Sequence, residues 1–436
     1  MSRNIPLFIA FRVFFNTRFY YPVIGVLFLD LGLTLEQYAL LNTVWAATIL
    51  VLELPSGALA DLFGRRAMVV LAGILMVAEM AVFAFAPPGP WMFPLLVLNR
   101  ILSGTAEACA SGADEALAYD SLEEPGREKR WRGVLSSLVR WSSGSFFVAM
   151  ILGALVFDRH FVGGVSAYFH FGGHVSWQTT RWPVYLTLAT SLLALACALA
   201  MREPARNALA DQSHPVREAL NILNSGAKFV FSDRRVRLLL LCAVLFDTFV
   251  RLFLTFASNY YRLIGLPEFV YGFMGSAFAL FGFVAASLAR RLAAKYSARA
   301  VFALVGVLIL AGLAGLCPAT PIYGVWVIVP IGLSMPMLQY FLSNYLNAWT
   351  SSELRATVLS FRGVALNLGY GLAGLGFAGA TSAIRASDPG LTANAIFGRT
   401  LYLLPAAFLL GAAALLIVVW RADQKPDRTS CIPPDK

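Results

Sequence analysis

The chain has 436 residues, a net charge of +10, 58% hydrophobic and 13% charged residues, and a mean hydropathy of +0.70. Soluble domains are about a quarter charged, so the composition excludes an ordinary soluble enzyme and implies a polytopic membrane protein. Crossing ~30 Å of hydrocarbon takes about 20 apolar residues in a helix, and the runs here are too long and continuous for barrel strands of about 10 alternating residues. In chain order, twelve helical spans are predicted at 5–29, 35–57, 67–86, 91–118, 133–157, 183–201, 237–261, 269–289, 300–317, 321–346, 357–383 and 399–420. The first carries Arg12 and Arg18 and lacks a small-residue cleavage site, so it reads as a retained span. The longest connection divides the chain into an N-terminal six-helix bundle (1–201), a linker (202–236), a C-terminal six-helix bundle (237–420) and a tail (421–436). Within the linker, PVREALNILNSGAKFVF (215–231) fits either a helix lying on the membrane surface or a flexible connection.

Charge placement sets the topology. The loops that share a side with the termini hold 23 lysines and arginines, and the opposite loops hold five: Arg159, Arg181, Arg262, Arg385 and Arg399. The positive-inside rule then makes both termini cytoplasmic. Topology accounts for the +10 charge, so no nucleic-acid partner is expected. Cys109, Cys197, Cys242 and Cys317 fall in apolar segments with no spacing that suggests disulfides or a metal. His160, His170 and His174 lie in the glycine-rich outer loop 158–182, which is predicted to be non-helical and solvated, with metal binding the lesser reading.

The two halves are related. RFYYPVIGVLFLDLGLTLEQYALL (18–41) aligns without gaps to RLFLTFASNYYRLIGLPEFVYGFM (251–274) at an offset of 233, which places Arg18 on Arg251, Gly32 on Gly265 and Tyr38 on Tyr271. Parallel repeats of this kind build one large class of transporters. Between spans two and three, SGALADLFGRR (56–66) carries Gly57, Asp61, Gly64, Arg65 and Arg66. It resembles the signature loop of the major facilitator superfamily. RILSGTAEA, with Arg100 and Gly104, resembles the family's fourth-helix motif, and SSELRATVLS (351–360) another common element. The resemblance implies an all-α fold of two pseudo-symmetric six-helix bundles around a central cavity, worked by alternating access. It departs from the family in the second half, where RRLAAKYSAR (290–299) puts Ala294 opposite Asp61 and Ala298 opposite Arg65. Span five also lacks the Gly-Pro core typical of the family's drug/proton antiporters.

Six arginines lie inside spans: Arg12, Arg18, Arg100, Arg140, Arg251 and Arg362. The acids there are Glu53, Glu79, Glu107, Asp114, Glu115 and Asp247. A charge facing lipid costs several kcal/mol, so these groups are expected to face one another or a wet cavity. Arg18 and Arg251 each stand thirteen residues into their span, roughly 20 Å deep at ~1.5 Å per residue. Two symmetric guanidiniums there form a clamp for carboxylate or phosphate, resembling in position only the organophosphate/phosphate antiporters of the family. The alternative is structural pairing, of Arg251 with Asp247 and of Arg18 with Glu79 or Glu107. Arg100, Glu107 and Asp114, spaced by seven, are expected to line one face of span four. Glu107, Asp247 and Glu79 are candidates for proton coupling, and Arg100 and Tyr21 for substrate contact.

The resemblance also implies a cytoplasmic gate. Asp61 would meet the start of span eleven, Arg65 would pair with Asp120, and Glu53, Gly57, Gly64 and Arg66 would support them. The chain is thus expected to be a secondary transporter of a small organic anion, coupled to a proton or counter-ion, embedded in the bilayer as a monomer, with no cofactor, metal or enzymatic activity. The alternatives are proton-coupled export of lipophilic compounds and a non-transporting sensor on the same scaffold.

Overall fold

The computed structural model describes residues 3–122, 126–168, 180–203, 224, 227–350 and 352–423, and all described segments are helices and their connections. Among the described residues, ten helical segments are long and apolar enough to cross a membrane. They correspond to every predicted span except the first and fourth, and both of those are interrupted.

The first span splits into α1 (Asn4–Asn16) and α2 (Ile24–Asp30), with Thr17 to Tyr20 unwound between them. The cause is Pro22. It has no N–H to donate to the carbonyl of Arg18 four residues back, and only the Tyr21 N–H reaches that carbonyl, at 3.3 Å. At the equivalent place in the repeat stands Thr255, and α10 (Arg234–Leu263) runs through Arg251 without a break. The two arginines are therefore symmetric in sequence and different in structure. Irregular backbone at membrane depth must find partners inside the protein. Here the Phe19 N–H donates to Thr187 Oγ1 at 3.0 Å, and Thr190 Oγ1 donates to the Thr17 carbonyl at 3.1 Å. Both threonines lie on α9 (Trp182–Ala200).

The fourth span divides into α5 (Met92–Ala110) and α6 (Ala113–Asp120) at Gly112, whose φ of 76° suits glycine. This break corrects the expected row of Arg100, Glu107 and Asp114. Asp114 turns away to Arg12 of α1, 2.5 Å distant, and Glu115 stands 3.7 Å from the same arginine. The outer loop is also not wholly irregular. Asp158 caps the N-terminus of a ten-residue helix, α8 (Arg159–Tyr168), accepting from the His160 and Phe161 N–H groups at 2.9 and 3.0 Å. His170 and His174 lie outside the described residues.

α3 (Leu35–Phe63) starts at a capping box, in which Thr34 and Gln37 each bond the other's N–H. It runs six residues beyond the predicted end, so most of the signature stretch is helix and the turn is Gly64 alone, at φ 94°. α4 (Arg65–Phe85) starts directly after it. α7 (Arg127–Phe157) completes the N-terminal half with α9. The second half comprises α10, α11 (Val270–Lys295), α12 (Ala298–Leu316), α13 (Ile328–Trp349), α14 (Ser352–Ser387), α15 (Ala393–Leu401) and α16 (Leu403–Asp423). One apolar core runs through both halves and includes Phe28, Tyr38, Phe256 and Phe377. Phe256 stacks on Phe377 with ring centroids 4.1 Å apart.

The break in the first span depends on Gly153 of α7, where a Cβ would lie 1.7 Å from the Phe19 carbonyl oxygen. Gly144, on the same helix, has open space around it. Gly153→Val is predicted to lower stability by at least the ~1–3 kcal/mol of overpacking, while Gly144→Val leaves the melting midpoint in detergent close to that of wild type. Equal midpoints for the two variants would contradict the packing described.

Candidate functional site

A cavity of about 500 Å³ lies between the halves, walled by the unwound stretch and by α3, α5, α7, α10, α11, α13 and α14. Its size suits a small organic ligand. The charged residues on its wall are Arg100, Glu107 and Arg251, and Tyr20, Tyr21, Tyr38, Trp45, Tyr261 and Tyr370 supply aromatic faces.

The three deep arginines have different surroundings. Arg18, 2% exposed, is ion-paired with Glu79, lies 3.6 Å from Glu107 and bonds the Tyr20 hydroxyl at 3.2 Å. It is absent from the cavity wall and reaches it through Glu107 and Tyr20. Glu79 is fully buried, and the Asn99 amide bonds its backbone carbonyl at 2.7 Å. Arg251 is on the wall. It pairs with Asp247 at 2.5 Å, donates to Asn367 Oδ1 at 2.9 Å and lies over the Tyr370 ring at 5.1 Å. Arg100 is also on the wall, 6% exposed. Its Nε donates to Asn99 Oδ1 at 2.9 Å, its guanidinium stands over the Phe28 ring, and its Nη2 has no partner. Among the described residues no carboxylate stands within ion-pair distance of Arg100. Of the residues singled out in the sequence, Arg100, Glu107, Arg251 and Tyr21 meet at the cavity, while Arg18, Glu79 and Asp247 lie behind it.

Polar clusters fasten each end of the molecule. At the face that carries the termini, Arg65 is ion-paired with Asp120. Glu203 accepts the N–H groups of Arg65 and Arg66 at 3.1 and 2.7 Å, capping α4 as the dipole favours. Arg66 bonds the carbonyls of Met201 and Leu199. Glu53 Oε2 is buried without a partner beside Gly363 of α14. The side chain of Asp61 lies outside the described residues, and so does its expected contact with span eleven. Gly57 is inside α3, and its surroundings likewise lie outside the description.

At the opposite face the halves are joined directly. Arg262 holds Asp30 through two bonds of 2.6 and 2.9 Å and Glu268 through one of 2.5 Å. Arg385 holds Glu36 at 3.0 and 3.2 Å. Asp158 Oδ2 accepts from the Phe269 N–H, at 3.0 Å, at the head of α11. Among the described residues, the ion pairs that cross between the halves both lie at this face. The sequence reading used Arg262 and Arg385 only for topology. A usable signal was there: Asp30 and Arg262 end equivalent spans of the repeat with opposite charges.

Two bundles of membrane-crossing helices around a charged central cavity, joined at one end, define a membrane transport protein and not an enzyme. The chain belongs to the Major Facilitator Superfamily, whose family profile matches residues 7–374. Solved structures agree on the fold. The nucleoside transporter NupG superposes with a TM-score of 0.70 at 12% identity, over 95% of this chain and 98% of that one. A bacterial homolog of the human lysosomal transporter Spinster, inward-facing and unoccupied, gives 0.69 at 17% identity, over 95% and 96%. A D-xylose-proton symporter gives 0.62 at 15% identity, over 93% and 96%. No curated protein sequence matches the chain.

Removing one partner of a buried ion pair costs roughly 3–5 kcal/mol, because the other is left uncompensated, whereas replacing both with apolar groups is often neutral. Arg18→Met is therefore predicted to sharply reduce the yield of folded protein in detergent, and Arg18→Met/Glu79→Met to restore it. A well-folded single variant would show that the pair does not hold the first span.

Proposed function

We propose that the protein is a secondary transporter of a small organic anion. One observation carries the reading: Arg100, buried and with no carboxylate at ion-pair distance among the described residues, lines the central cavity, and its Nη2 has no hydrogen-bond partner. Arginine keeps its charge at any physiological pH. An uncompensated cation in a low-dielectric site favours an anionic ligand, and its planar fork suits carboxylate or phosphate. Arg251, across the cavity on the other half, provides a second contact, with Asp247 holding it when the ligand is absent. Binding between the halves lets the ligand favour their closure. Glu107 is a candidate for proton coupling, because it lies on the wall and against Arg18. The aromatic wall favours a second reading, export of lipophilic compounds, in which Glu107 would take up the coupling proton.

The arginine excess supports placing the termini and the Arg65–Asp120 cluster in the cytoplasm. The joined face is then external, and the described arrangement is the one closed to the outside. Arg65, Asp120 and Glu203 form the opposing gate, which we read as a positioning device without substrate contact.

In proteoliposomes, Arg100→Gln is predicted to lower uptake of the transported anion at least tenfold, with Arg100→Lys recovering part of it. Unchanged uptake in Arg100→Gln would overturn the anion reading. Drug resistance conferred by the wild type and lost in Glu107→Gln would favour the second one.

The outer latch carries a pH signature. Burial raises the Glu268 carboxyl above its ordinary value, aided by Asp30 and Asp158 and opposed by Arg262. The closed face therefore binds a proton more tightly than an opened, hydrated one. Lowering the external pH through the window between the raised and ordinary values favours closure. With native cysteines replaced, labelling of Ser258→Cys by an impermeant maleimide from outside should slow across that window, and Glu268→Gln should abolish the slowing. Persistence in Glu268→Gln would assign the effect elsewhere.

A further inference from the structure

The two halves treat one corner differently. In the N-terminal half, the basic pair at the head of α4 is closed off by the protein itself, through Asp120, Glu203 and the carbonyls of Leu199 and Met201. The corresponding head of α12 in the second half has Arg299 at the place of Arg66, and alanines where Asp61 and Arg65 stand. A cavity of about 810 Å³ lies at this corner. Arg234, Arg235 and Arg299 line it together with the apolar Leu238, Phe302 and Trp349. The acid at its rim, Asp233, is engaged in capping α10, accepting from the Arg235 and Val236 N–H groups at 2.8 and 3.0 Å. Val419 of α16 completes the wall, on a helix whose Leu410, Leu416 and Trp420 are exposed to the surroundings and so face lipid.

We infer that this cavity is a binding site for an anionic phospholipid, its phosphate held among Arg234, Arg235 and Arg299 and its acyl chain laid along Leu238, Phe302 and Trp349. Three arginines on the lining give charge complementarity to a phosphodiester. The apolar walls and the volume exceed what inorganic phosphate uses. Basic pockets between membrane helices attract anionic headgroups in this way. The site is separate from the central cavity, so it stands whether or not the substrate is an anion.

The test uses the full-length protein purified in neutral detergent. Native mass spectrometry with phosphatidylglycerol or phosphatidylcholine added should show preferential retention of phosphatidylglycerol. Arg235→Ala/Arg299→Ala should reduce that retention on the order of tenfold. Cys242→Trp, which keeps the charges but fills the apolar wall, should reduce it as well. Arg290→Ala/Arg291→Ala removes two exposed arginines outside the cavity and should leave it unchanged. Millimolar inorganic phosphate should not compete. Equal retention of the two lipids would overturn the inference. So would full retention in Arg235→Ala/Arg299→Ala, equal losses in the Arg290/Arg291 control, displacement by free phosphate, or phosphatidylglycerol binding that appears only after residues 424–436 are removed.

Discussion

A guanidinium cannot shed its charge, so inside a membrane it must be answered by a carboxylate, by hydrogen-bond acceptors or by a ligand. That constraint organises this protein. Arg12 is answered by Asp114, Arg18 by Glu79 and Glu107, Arg251 by Asp247 and Asn367, and Arg362 by Gln339. Most of these pairings tie together elements that lie far apart along the chain. Arg18 joins the first span to the third and fourth; Arg12 joins the first span to the end of the fourth. Arg100, like Arg362, is held by an amide oxygen and by no carboxylate within ion-pair distance among the described residues, but of the two it is Arg100 that lines the cavity, with its Nη2 unpartnered. The functional reading follows from that exception.

The unwound stretch at Arg18 shows how one residue differentiates two copies of a repeat. Pro22 removes the amide that a continuous helix would use, and Thr255 in the second copy retains it and also donates its hydroxyl to the Arg251 carbonyl at 2.9 Å. The first span consequently bends its arginine into the bundle, against Glu79. The intact helix keeps Arg251 at the cavity. Thr187, Thr190 and Gly153 receive the broken backbone.

Much of the fold was legible because membrane helices announce themselves by run length and charge bias. Both chain breaks escaped the sequence reading for local reasons. Pro22 lies inside an apolar run that still averages as one span, and Gly112 follows a stretch of small residues that is compatible with helix. Charge positions were legible, but partners were not. Spacing by seven put Asp114 on the Arg100 face, and it could not register the turn at Gly112 that sends Asp114 to Arg12. The symmetric clamp of Arg18 and Arg251 rested on an equal helical path through both arginines, which Pro22 denies to the first. Glu203, and Asp158 in its bond to Phe269, were missed because each acts there on a backbone N–H distant in sequence, and no spacing rule reaches that far.

Polar clusters of different chemistry stand at the two ends: carboxylates on Arg65 and on the head of α4, all within the N-terminal half, at the face of the termini, and guanidiniums shared between the halves, with Asp158, at the other. Both lie outside the cavity. Selection for negative charge by the cavity, through Arg100, is the central claim. A thermal-shift screen of the purified protein against organic carboxylates, organic phosphates and lipophilic cations tests it most directly. Anions alone are predicted to raise the melting midpoint, and the rise is predicted to disappear in Arg100→Gln. Stabilisation by lipophilic cations with no response to anions would contradict it.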